Sequence, residues 1–259
     1  MTSALAQAVT VLFVPGHRPE RFGKAAASGA GAVILDLEDA VAEADKSEAR
    51  AAVAAWLSGG GEAVVRINPP GTPWYEDDLE VARAHRCPVM LPKAEDPRVI
   101  AALGLPVIPL VETASGIEDA AAVCRAGNVV RVAFGSVDLA TELGVRHEDT
   151  LAMAYARSRL VIASAAAGLA PPLDGVTTDL TGTAVLEADV EHARRLGFGG
   201  KLCVHPKQID VVARGFAPTD AELDWARRVV GAADSVSTVD GQMVDRPVLE
   251  RARRLLARG

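Results

Sequence analysis

Short apolar runs, most of them rich in β-branched residues, recur along this chain at residues 9–14, 32–35, 63–68, 89–91, 107–111, 129–134 and 200–204, with a weaker one, Pro172-Leu173-Asp174, between the last two. Such runs read as strands buried on both faces. Helical stretches alternate with them, at residues 19–28, 46–57, 77–84, 97–103, 117–126, 150–167 and 186–196. Their ends carry ordinary punctuation: Pro19 in a first turn, a Gly59-Gly60-Gly61 stop, Gly127 after one helix and Gly168 after another. In the stretch 150–167, Thr150 is the expected N-cap and Leu151, Ala154, Tyr155, Ile162 and Ala165 the expected apolar face. Strands alternating with helices in this way predict an α/β fold, a (β/α)8 TIM barrel, over residues 1–217.

Residues 218–259 read as a C-terminal helical extension. Thr219 and Glu222 fit a capping box that opens a helix through about Ala233. A polar break at 235–241 follows, and then a last helix at 248–257 whose Arg251, Arg253, Arg254 and Arg258 suit a helix carboxyl end.

Composition narrows the class. The 259 residues suffice for one full core, and with 49% hydrophobic but only 4% aromatic residues that core is built from Ala, Val, Leu and Ile. A net charge of −7 argues against nucleic acid or an anionic membrane as partner. Cys87, Cys124 and Cys203 lack paired spacing, which fits a reducing cytoplasm and excludes a recognisable zinc site. The first eight residues lack a basic region and a long apolar segment, so no signal peptide is expected, and no run is long enough to span a bilayer. A soluble cytoplasmic protein is the expectation.

Polar residues collect just after the strands: Arg18, Glu38, Arg66, Lys93, Glu112, Asp138 and His205. In a barrel those ends share one mouth. Glu112 and Asp138 close consecutive strands of one β-α-β unit, so they should sit side by side, on strands roughly 4.8 Å apart. Two carboxylates at that edge suit a hard cation such as Mg²⁺. Acids after strands also cap helices, so the pair alone leaves both readings open.

Several motifs together resemble the citrate lyase beta-subunit-like branch of the HpcH/HpaI aldolase superfamily. They are Phe13-Val14-Pro15-Gly16, Asp36-Leu37-Glu38-Asp39-Ala40-Val41, Val65-Arg66-Ile67-Asn68, Leu91-Pro92-Lys93, Glu112-Thr113-Ala114-Ser115-Gly116-Ile117 and Gly241-Gln242-Met243-Val244-Asp245. The resemblance runs in order over nearly the whole chain. It implies a TIM barrel, Mg²⁺, a homotrimer, and reversible carbon–carbon cleavage of 3-hydroxyacyl thioesters such as citramalyl-, malyl- or 3-hydroxy-3-methylglutaryl-coenzyme A.

What it implies for residues follows from that chemistry. Glu112 and Asp138 hold Mg²⁺, and Arg66 faces the thioester carbonyl as a permanent cation; the alternative for Arg66 is an ion pair with Glu38 or Asp36. The backbone amides of Gly135, Ser136, Val137 and Asp138 hold the substrate carboxylate. Asp245 reaches the active site of a neighbouring subunit to handle the proton on the enolate carbon; the alternative is that it caps the final helix, with Pro247 in the first turn. Glu38 and Asp39 orient a metal-bound water or Arg66. Lys93 contacts a carboxylate or phosphate, or forms a Schiff base, and Arg18 reaches the coenzyme A phosphates. Lys46 and Arg50 share a helix face and read equally as solvated; His205 reads as a structural hydrogen-bonder. Val137 stands where the family commonly carries an acid, a departure that bears on substrate identity. Alternatives are a citrate lyase beta subunit acting on citryl-acyl carrier protein, a free-acid aldolase, and an inactive barrel serving as a binding module.

Overall fold

The computed structural model describes residues 2–232, 238–240 and 242–257, as two compact units, Met1–Gly215 and Phe216–Gly259. In the first, eight parallel strands close into a barrel in sequence order: β1 (Thr10–Pro15), β2 (Ala32–Asp36), β3 (Val64–Arg66), β4 (Val89–Leu91), β5 (Val107–Val111), β6 (Ala133–Phe134), β7 (Leu173–Asp174) and β8 (Gly200–Cys203). Val11, Ile34, Val64, Met90, Ile108, Leu110, Ala133, Leu173 and Leu202 fill its interior. The residues alternating with them, among them Leu12, Leu35 and Val65, are also buried. That double burial is why the strands read as continuous apolar runs.

A helix at the N-terminus, Thr2–Gln7, was not anticipated; it places Leu5 in the interior cluster. It is tied down by Arg131, whose fully buried guanidinium donates to the carbonyls of Ala8 and Pro171. The sixth strand is shorter than the apolar run: the stretch from Val129 contributes one bridge, to Val107, before regular pairing begins at Ala133. The helical stretch at 117–126 is two short helices, Ala114–Glu118 and Ala120–Cys124.

The helix expected at 150–167 spans Ala154–Ala166. Thr150 is not its cap: the N-cap position is Met153, with no side-chain cap bond, and the Asp149 carboxylate instead accepts the amides of Leu151 and Ala152, both at 3.0 Å, in the turn that precedes the helix. The expected apolar face is also wrong. Leu151, Tyr155 and Ile162 are 85%, 60% and 62% exposed, while Ala156, Arg157, Leu160, Ala163 and Ser164 are buried. The Arg157 ion pair to Asp174, at 2.9 Å, helps set which face turns inward.

The second unit pairs helices Asp220–Gly231 and Arg246–Leu256 through Ala226, Val229 and Ala252. Thr219 and Glu222 form the anticipated capping box, with the Glu222 amide donating to Thr219 Oγ at 3.2 Å. Strands Thr238–Val239 and Gln242–Met243 pair antiparallel between the helices. Arg251 lies over the Trp225 ring, while Ala233, Arg258 and Gly241 lie outside the described residues. No helix of the described residues is long and apolar enough to cross a membrane, and the three cysteines are buried and free.

Candidate active site

β5 and β6 pair in register Val111 to Phe134, so the residues that follow them are neighbours. Glu112 comes directly after β5 and is buried. Asp138 sits in the first turn of the helix Ser136–Leu143 rather than on the strand. Gly135 makes the approach possible: a Cβ there would stand 2.3 Å from Glu112 Cβ and 2.5 Å from Glu112 Oε2.

Lys93, after β4, joins the two acids. Its backbone amide donates to Glu112 Oε1 at 2.9 Å, and its ammonium donates to Asp138 Oδ2 at 2.7 Å. The same ammonium lies 3.8 Å from both Glu38 Oε1 and Glu112 Oε1. Its backbone is left-handed, with φ 49°, a conformation costing a non-glycine residue about 1–2 kcal/mol. Burial pulls its pKa down, but the bond to Asp138 and the neighbouring carboxylates hold the ammonium above its ordinary value. Lys93 is therefore a carboxylate partner in this structure.

Arg66 and Asp36 pair across β3 and β2. Arg66 donates from Nε and Nη2 to the two Asp36 oxygens at 2.7 and 2.6 Å, and its Nη1 lies 2.9 Å from Glu38 Oε2. The guanidinium lies 4.8 Å from the centre of the Phe13 ring. Asp36 also accepts the amides of Glu38 and Ala40, which fixes the loop after β2. Lys46 is buried and donates to the carbonyls of Leu37 and Glu38, and Arg50 pairs with Asp78 at 2.8 Å, so neither is a merely solvated charge.

Burial raises the acids. It pushes Glu112 up to about 8, with help from Glu38, and Glu38 up to about 7 against the pull of Arg66. Among the described residues no group of three or more His, Cys, Asp or Glu side chains forms a metal cluster. Glu112 and Asp138 are the two carboxylates that could hold a cation there, with Glu38 sharing the Lys93 ammonium with them. A buried carboxyl whose ionised form is disfavoured by burial, beside a half-exposed one with room for water, fits a small hard dication, which would favour the ionised form.

These residues open on a cavity of about 300 Å³. Asp36, Asp39, Arg66, Glu112, Gly135, Ser136 and Asp138 form its polar side; Phe13, Leu110, Phe134, Val137, Val176, Leu202 and Val204 form its apolar side. The Ser136 hydroxyl is buried without a hydrogen-bond partner. Gly175 packs against it so closely that a Cβ would lie 2.4 Å from Ser136 Oγ. Arg18 is exposed and paired with Glu20 at 2.7 Å. His205 Nδ1 accepts the Lys207 amide and caps the turn Pro206–Gln208, the structural role read for it. In the second unit, Asp245 caps the helix Arg246–Leu256 by accepting the Val248 amide at 3.1 Å, with Pro247 in the first turn.

One buried network was not anticipated. Asp174, at the end of β7, pairs with Arg157 at 2.9 Å and with Lys201 at 3.1 Å, and Lys201 also donates to the Gly175 carbonyl at 2.6 Å. Burial pushes the Asp174 carboxyl up, but Lys201 and Arg157 outweigh it and hold the group below its ordinary value. The network braces the loop that packs on Ser136. An acid ending a strand was its one signal in the sequence.

Comparison with known proteins places these features in context. A family model described as HpcH/HpaI aldolase/citrate lyase matches residues 9–206. A citrate lyase subunit beta-like protein of Mycobacterium tuberculosis is 42% identical over 95% of this chain and 94% of its own length. A (3S)-malyl-CoA thioesterase of Cereibacter sphaeroides is 35% identical over 96% of this chain and 93% of its own. The crystal structure of CitE from M. tuberculosis with magnesium, acetoacetate and coenzyme A superposes with a TM-score of 0.87 at 38% identity, covering 98% of each chain.

Proposed function

The chain belongs to the HpcH/HpaI aldolase/citrate lyase family, and from that membership we propose that it is a Mg²⁺-dependent carbon–carbon lyase acting on a 3-hydroxyacyl-coenzyme A. The observation that carries this reading is the convergence of Glu112, Asp138 and Arg66 on one cavity beside the buried Ser136 hydroxyl. Magnesium and coenzyme A bound to the CitE relative support it.

Glu112 and Asp138 hold the metal, which supplies Lewis acidity toward the substrate's oxygens. The 3-hydroxyl gives its proton to a water in the cavity, the adjacent C–C bond breaks, and its electron pair leaves with the thioester as the enolate. The hydroxyl-bearing carbon becomes the carbonyl of an oxo acid, a 2-oxo acid from malyl or citramalyl substrates. Arg66, kept rigid by Asp36 and Glu38, presents a permanent cation to the enolate oxygen. The amides that open the helix Ser136–Leu143, with the Ser136 hydroxyl, receive the substrate carboxylate. Asp39 lines the cavity and orients water there, and Arg18, exposed near the first strand, serves the coenzyme A phosphates. Asp245 of a neighbouring subunit in a homotrimer delivers the proton to the enolate carbon. Leu151, Tyr155 and Ile162 are large side chains left exposed on the barrel unit and available to a subunit contact.

The lining favours one carboxylate and an alkyl substituent over a substrate with two free carboxylates. Arg66 and Lys93 already carry acid partners, and Val137, Val176 and Val204 are apolar. Malyl- and citramalyl-type thioesters therefore rank above citryl, and the coenzyme A bound to the CitE relative supports free coenzyme A as the thioester carrier.

A second reading, hydrolysis of the thioester, is favoured by the malyl-CoA thioesterase relatives. The test is incubation with malyl-, citramalyl-, 3-hydroxy-3-methylglutaryl- and citryl-coenzyme A, in Mg²⁺ and then in EDTA, with all products identified. A 2-oxo acid or ketone plus an acyl-coenzyme A, abolished by EDTA, is expected. Free coenzyme A with the intact hydroxy acid would establish the thioesterase instead. Silence across the panel would move the reading to a carrier-protein-dependent subunit.

A further inference from the structure

We propose that Lys93 is the positioning residue of the metal cradle, a single residue that orients both carboxylates at once. This rests on the reading of Glu112 and Asp138 as the metal-holding pair. Its backbone amide fixes Glu112 Oε1 at 2.9 Å and its ammonium fixes Asp138 Oδ2 at 2.7 Å. Each carboxylate thus has one oxygen held by Lys93 and a second that Lys93 does not bind. Pro92 precedes Lys93, and the left-handed backbone at φ 49° aims the amide at one acid while the side chain crosses to the other. A strained conformation, where glycine would sit without strain, is retained because the side chain has work there. Glu38 Oε1, at 3.8 Å, adds a third anion around the ammonium. Lys93 therefore also limits the repulsion that would drive the two acids apart.

Two accounts of this lysine differ in sign. A bare counter-charge beside a dication repels it, so removing the charge tightens metal binding. An orienting donor preorganises the ligands, and losing such a group typically weakens metal affinity by about 10–100-fold. The experiment is calorimetric titration of the substrate-free protein with Mg²⁺, and with Mn²⁺ as a second probe. It compares wild type with Lys93→Met, Lys93→Arg and Lys93→Gly, each checked for folding by circular dichroism. The glycine variant accepts the left-handed backbone and keeps the amide bond to Glu112, so it secures the test if the methionine variant misfolds. Expected are losses of about 10–100-fold for Met and about 10-fold for Gly and Arg, because the arginine fork does not reproduce the single bond to Asp138. Affinity unchanged or tightened in the folded Met or Gly variant overturns the proposal. Absence of divalent binding in the wild type overturns the metal-site reading itself, and the proposal with it.

Discussion

Arg66 shows how much of this site depends on orientation rather than charge. Its fork matches both Asp36 oxygens, and Asp36 is itself pinned by two backbone amides. Arg66→Lys keeps the charge but loses the two parallel bonds, and it should lower kcat about 100-fold or more with little change in KM. Steady-state kinetics decide this, and an unchanged kcat would remove Arg66 from the reaction. The buried acids give a pH test. Glu112 and Glu38 ionise near 8 and 7 when folded, against an ordinary 4.5. The folded state therefore binds more protons across that window, and metal-free stability falls as pH rises through it. Metal binding requires the ionised forms. The gain in Tm on adding Mg²⁺ should thus be larger at about pH 8.5 than at about pH 6, and melts with Mg²⁺ and with EDTA check it. Residue types were legible in the sequence: the acids, Arg66 and Lys93 all stood out after strands. The oxygen that each one holds was not.

At the level of elements, the site depends on how closely the start of the helix Ser136–Leu143 approaches β5. Gly135→Ala forces a methyl onto Glu112, and it should reduce Mg²⁺ affinity by about 10-fold or more and turnover with it. Gly127→Ala, where a Cβ meets nothing within 4 Å, should leave both unchanged. Measuring the two variants side by side separates crowding at Glu112 from a general effect of losing glycine. Strands were legible because burial on both faces leaves a run of β-branched residues. The helix Ala154–Ala166 was not, because apolar spacing alone does not say which of two faces turns inward. Arg157, reading as a surface residue, is buried by its bond to Asp174, and this accompanies the exposure of Tyr155 and Ile162. Thr150 reads as a cap by residue type, but Asp149 holds the next two amides in a turn and the helix begins only at Ala154, without a side-chain cap.

For the whole molecule, Asp245 is the residue whose role depends on assembly. Within its own unit it caps a helix, a role compatible with proton delivery to a neighbour. If sites are shared in a homotrimer, an equal mixture of inactive Asp245→Ala and Glu112→Ala proteins should recover about a quarter of wild-type activity, from random pairing of intact halves. Light scattering gives the oligomeric state, and no recovery despite demonstrated subunit exchange would confine Asp245 to its capping role. The sequence by itself determined the order of strands and the polar residues that follow them, because strands buried on both faces restrict local composition; the approach of Gly135 to Glu112 came only with the structure. Tertiary structure decided that Arg66 clamps Asp36, 30 residues away and one of the two partners the sequence offered, and it alone supplied the Lys93 bond to Asp138, 45 residues away, and the Asp174 network. Those partners meet only because the barrel closes, and closure is a property of all eight strands together that no local pattern records.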